Sequence, residues 1–283
     1  MMGVKSEQLW NLDQVHDLIK RDPAAGGREA VEKIVNGVRA ITGKISEDAE
    51  KIVSGVNVMA KMTATELKAE AKEAADTIRK NAAKAAADLI RNAKEGEDPK
   101  KAAVIAKKIL QQAVKNTAEL NRQADESVKE LIDQAEAAAL KFQRDAEAEA
   151  RNMSQIRDQV TKKLADKTKE TAAKFLDSEI GTEDKEWSQA AAEIIKMLAQ
   201  ASDDVHRFAA EAADKIQKVA EKAIVTVKEA ARVAAASVES AIGDANEKML
   251  EVTQTTITQT VGAEEAEFYE LGSLRDKMRN RPV

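Results

Sequence analysis

The chain contains no cysteine, which excludes disulfides, thiolate metal sites and cysteine nucleophiles. Aromatic residues make up only 2% of it, so large side chains are too scarce to fill a broad core. Three prolines and eleven glycines leave few positions where the backbone must break. No segment approaches the roughly 18 consecutive apolar residues of a bilayer-spanning helix. The N-terminus has no charged-then-apolar leader pattern, because charges are spread through residues 5–22. The expected compartment is therefore the cytoplasm. There is no Gly-x-Ser-x-Gly elbow and no Gly-rich phosphate cradle, and carboxylates at this density read as a solvated face. No enzyme activity and no cofactor are expected.

Charge is abundant but balanced. Forty-five basic and fifty acidic residues give a net charge of −5, without the dominant basic surface that nucleic-acid binding requires. Charged residues are 34% of the chain, and Ala, Glu, Lys, Gln and Asp fill most positions. With helical periodicity, that composition indicates long helix or coiled coil. The expected fold class is all-α: an elongated antiparallel bundle or coiled coil of three long Ala-rich helices, with a short N-terminal helix.

The spacing of apolar residues divides the chain. Leu9, Trp10, Val15, Leu18 and Ile19 predict a short amphipathic helix over 6–21. Asp22–Gly27 (DPAAGG) predicts a break, so residues 1–27 form one segment. Residues 28–262 form the bundle, with helices over 28–94, 99–179 and 182–261. In the first, Gly43 predicts a kink or stop and Ser46 an N-cap. Its seam from Ala49 to Ala93 advances by about 3.67 residues per step, the spacing of a nearly straight coil. Asp98 and Pro99 suit the start of the second helix, Gly181 its end, and Thr182 the start of the third. At about 1.5 Å per residue, the second and third are each roughly 120 Å long, and their short connection makes them antiparallel. Glu170–Lys174, Glu211–Lys215 and Asp214–Lys218 stand in the favourable order for surface ion pairs. The uncharged stretch 252–262 reads as the end of the third helix, with an extended segment as the alternative. Narrow apolar seams on such long helices predict self-association.

Four features carry candidate function. Asp13 with His16, and Asp203 with His206, each place an acid and an imidazole three residues apart on one helical face, the spacing of metal ligands in helical bundles. Ordinary solvated faces produce the same spacing. Residues 99–115 contain Lys100, Lys101, Lys107, Lys108 and Lys115 without one acid. On a helix these group together, opposite Ile105, Ala106, Ile109, Leu110 and Ala113. Such a helix suits an anionic membrane or granule surface, or the outside of a bundle end. In general layout, three long helices resemble membrane-curving BAR-type modules and granule-coating phasins.

The fourth feature lies in the tail, 263–283. It carries Phe268, Tyr269, Leu271 and Leu274, then Arg275, Lys277, Arg279 and Arg281. Leu271-Gly272-Ser273-Leu274-Arg275 resembles the cargo-loading peptide of encapsulin nanocompartments. The resemblance implies that Leu271 and Leu274 anchor in a groove of a shell protein and that Arg275 makes a charge contact. An ordinary turn before a basic tail is the alternative. The expected function is a structural, scaffolding or assembly role, with encapsulin cargo and lipid- or granule-surface association as alternatives.

Overall fold

The structure, a computed structural model, describes residues 13–93, 99–176 and 183–261. The described residues are all-α, with three long helices and a short N-terminal one. In order these are α1 (Asp13–Arg21), α2 (Pro23–Ala93), α3 (Pro99–Leu176) and α4 (Glu183–Val261). Their composition explains the length: Ala, Glu, Lys, Gln and Leu all favour helix, and among the described residues proline stands only where a helix begins. Pro99 opens α3, at the position where a missing amide costs nothing.

The DPAAGG segment is not a break between separate parts. Only Asp22 separates α1 from α2. Its carboxylate Oδ1 accepts the amide of Ala25 at 2.9 Å, and its carbonyl accepts the amide of Gly26 at 2.9 Å. Asp22 is thus the N-cap of α2, and Pro23 takes the first helical position. Gly26 and Gly27 continue the helix instead of interrupting it, because here they serve close packing. A Cβ on Gly26 would stand about 2.5 Å from the backbone nitrogen of Ile19, and one on Gly27 would strike the side chain of Thr168. Gly43 likewise does not stop α2, and Ser46 is not a cap. The Ser46 hydroxyl donates to the Thr42 carbonyl within the helix, at 3.2 Å.

The chain divides into two compact units. The first takes in the residues up to Gly55 together with Ala138–Ile224. Its core holds Val15 and Ile19 of α1, Ile34, Val38, Ile41 and Ile45 of α2, Phe142, Met153 and Leu164 of α3, and Ile194, Leu198, Val205 and Ile216 of α4. Each large aliphatic buried there contributes about 1.5–3 kcal/mol. A nine-residue helix is marginal by itself in water, so α1 depends on this docking. Trp187 of α4 adds a tie: its indole Nε1 donates to the carbonyl of Lys20, at 3.0 Å, in the last turn of α1. Lys167–Glu193 at 3.0 Å and Lys215–Glu149 at 3.3 Å join α3 to α4 and set them antiparallel. Lys215 thus bridges helices instead of pairing with Glu211. Glu170–Lys174 and Asp214–Lys218 pair within their helices, at 2.8 and 2.6 Å.

The second unit takes in Val56–Ala137 and the residues from Val225 onward. The α2 seam changes character here. Ala60, Ala64, Ala71, Ala75, Ala82, Ala85, Ala86 and Ala93 are buried, with Leu67, Ile78 and Leu89 between them. Small residues let helix axes approach toward the short end of the 8–10 Å range, while each contributes only about 0.8 kcal/mol per methyl. Arg79 donates to the Thr117 hydroxyl at 3.0 Å, and Lys68 pairs with Asp125 at 2.8 Å, so α2 and α3 are antiparallel. Asn116 Nδ2 donates to the Ala245 carbonyl at 3.4 Å, and the hydroxyls of Ser127 and Ser237 lie 2.8 Å apart, so α3 and α4 are antiparallel as well. The stretch from 252 ends α4 as helix: Thr253 and Ile257 are buried, and the Thr253 hydroxyl bonds the Met249 carbonyl.

Candidate functional site

The two acid–histidine pairs are not joined by a further ligand among the described residues. Asp13 and Asp203 are exposed, while His16 and His206 are half-buried. The imidazole Nε2 of each histidine points into the protein, and that of His16 has no hydrogen-bond partner there. Among the described residues no group of three His, Asp or Glu side chains could hold a metal ion. Matching intervals on α1 and α4 put one acid and one imidazole on a face twice, but among the described residues no third ligand converges on either pair.

The lysine stretch is placed differently from a free amphipathic helix. Ile105, Ala106, Ile109 and Ala113 are buried in the second unit, so that apolar face packs within the bundle. Leu110 stands apart from them at 41% exposed, with Val104 at 51% and Val114 at 58%. These three share the outer surface with Lys100, Lys101, Lys107, Lys108 and Lys115, all exposed. Among the described residues Lys101, Lys107, Lys108 and Lys115 form no ion pair.

The neighbouring end of α2 extends the positive charge. Over 77–93 it carries Arg79, Lys80, Lys84 and Arg91 against the single acid Asp88, which pairs with Arg91 at 2.7 Å. Further along α3 the balance reverses. Arg122 hydrogen-bonds both Glu119 and Glu126, and its guanidinium holds the Glu119 carboxyl below the ordinary glutamate value. The basic surface is therefore a local feature within a chain of net negative charge.

Comparison with protein-family models, with curated proteins and with solved structures finds no match. Two grooves follow the α2–α3 seam where small residues leave space. One, of about 250 Å³ in the first unit, is lined by Gly27, Val31, Ala165, Thr168 and Ala172, with Arg28 and Lys169 at its rim. The other, of about 360 Å³ in the second unit, has Ala71, Ala75 and Ala124 as its floor. Its walls include the Lys68–Asp125 pair and Arg79, 3.8 Å from Asp76. No helix among the described residues is long and apolar enough to cross a membrane. The loading-type segment Leu271–Arg275 lies outside the described residues.

Periodicity marked the lysines but could not tell which apolar residues the bundle would consume. Val104 and Val114 had no distinguishing signal, because their exposure depends on where α2 and α4 sit.

Proposed function

We propose that this chain is a non-enzymatic structural or assembly protein. Three helices of 71, 78 and 79 residues spend their seams on one another, which makes a stable support and leaves their outer faces for partners. The observation that carries this reading is the set of large aliphatics left outside. In the second unit Val58 and Met62 of α2 are 52% and 60% exposed, and Val225 of α4 is 64% exposed. Val58 and Met62 are four residues apart, one above the other on a helical face, which is the spacing for pairing with a second copy. Sedimentation equilibrium is expected to show a mass above the 30.7 kDa monomer that falls toward it in Met62→Lys and Val58→Lys. A monomer at every concentration would end the self-assembly reading.

The tail supplies the second contact in this proposal. The support is the likeness of Leu271–Arg275 to a loading peptide, whose apolar and basic side chains suit a groove on a shell protein. Deleting 264–283 is expected to abolish co-purification with an encapsulin shell, and retained association would reject it.

A further inference from the structure

An apolar strip runs along the α2–α3 junction of the second unit, bordered by cations. Thr117, which accepts a hydrogen bond from Arg79 of α2, marks the side of α3 that faces α2. Val114, Leu110 and Ala103 precede it by three, seven and fourteen residues, so they share that side. Ile90 follows Arg79 by eleven residues, three full turns, and lies on the matching side of α2. Ile90 is 42% exposed, and Ala103, Leu110 and Val114 are exposed as well. Over 77–93 and 99–117 the two helices carry nine basic residues and one acid. An apolar line between rows of positive charge fits an acidic segment with large apolar side chains.

The chain itself contains such a segment. Residues 263–270 (AEEAEFYE) hold four glutamates with Phe268 and Tyr269, and no base. The α3–α4 pairing shows where they start. Asn116 meets Ala245, and Ser127 meets Ser237, so each step up α3 is a step down α4. Continuing that register brings Val261, the last residue of α4, level with the first turn of α3. Ala103 to Val114 covers about 16 Å along α3. Crossing the end of one helix adds about 10 Å. Eight to ten extended residues reach roughly 30 Å, so the segment can lie along the strip. Tethering gives it a millimolar-range effective concentration there, well above that of a separate partner.

From this complementarity of charge, apolar pattern and attachment point, we infer that residues 263–270 dock in cis on the strip formed by Ile90, Ala103, Leu110 and Val114. The glutamates face Lys107 and the cations that border the strip, and Phe268 covers the aliphatic line. Docking in cis does not require self-assembly. Because the docked segment stops before Leu271, it can be altered separately from the loading-type residues.

The absence of cysteine allows a direct test in the full chain. Nitroxides on Gln111→Cys and Ala266→Cys, read by pulsed dipolar spectroscopy, are expected to give a narrow short-distance population. Lys107→Glu with Lys108→Glu should abolish it, and adding Glu264→Lys with Glu265→Lys should bring it back. Circular dichroism checks that each variant keeps its helix. A broad distribution in the unaltered background overturns the proposal, as does a short one indifferent to both charge reversals. If the Gln111 label is shielded from an aqueous relaxant only when phosphatidylglycerol vesicles are added, the strip belongs to a lipid surface and docking in cis is rejected.

Discussion

Gly26 lies against the backbone of Ile19, so close that a Cβ there would come about 2.5–2.6 Å from the Ile19 nitrogen and Cα. Neighbouring backbone cannot rotate away as a side chain can. Gly26→Ala is therefore expected to lift α1 from the first unit and cost about 1–3 kcal/mol. A thermal melt measures this. A variant that melts at the wild-type temperature would show that α1 does not need so close an approach.

Gly43 has the opposite surroundings. A Cβ there meets nothing within 4 Å, and the residue lies inside α2. Glycine in a helix interior costs roughly 0.5–1 kcal/mol relative to alanine. Gly43→Ala should raise the unfolding free energy by that amount, seen as a higher denaturation midpoint. A lowered midpoint would mean that α2 needs a bend at this position.

Asn116 is buried, donating to the Ala245 carbonyl while its Oδ1 accepts Gln112 at 2.8 Å. Removing these bonds in Asn116→Ala should cost about 1 kcal/mol. Asn116→Asp should cost more, because a carboxylate would face a carbonyl oxygen in a buried seam. Equal melting of the two variants would mean the amide donor does not matter to the α3–α4 pairing.

Exposed ion pairs set the acid side of the stability profile. Lys51 holds the Glu47 carboxyl below its ordinary value, mainly through a hydrogen bond, and Arg122, Lys174 and Arg232 do the same for Glu119, Glu170 and Glu229. A carboxyl whose folded pKa is depressed stabilises the fold above its unfolded pKa and loses that contribution as pH falls through the folded value. The melting temperature should hold near neutrality and decline below about pH 4. The decline should be smaller in high salt, because these pairs are solvated. A melting temperature independent of pH down to 3 would contradict this.

Much of the fold was legible in the residue order. Proline at 99, the run of helix formers and the buried spacing of Ile194, Leu198 and Val205 mark helices and their inner faces, because helix propensity and the 3.6-residue period are local. The start of α2 differs from the expected break for an equally physical reason. A glycine pair after proline looks like a break when only the backbone is considered. Its use here depends on Ile19 and Thr168, one of them on a distant helix. The acid–histidine spacing was legible as well, but local spacing cannot show whether a third ligand arrives.

The sequence by itself determined that this protein is helical, which stretches form helices and which side of each is apolar, since those properties come from neighbours three and four residues apart. Only the tertiary structure decided that Trp187 caps α1, that Lys215 reaches Glu149, and that Val104, Leu110 and Val114 stay outside among lysines while Ile105 and Ile109 go in. Those outcomes rest on the register between helices, which is set by contacts between residues far apart in the chain and has no signature within any one of them.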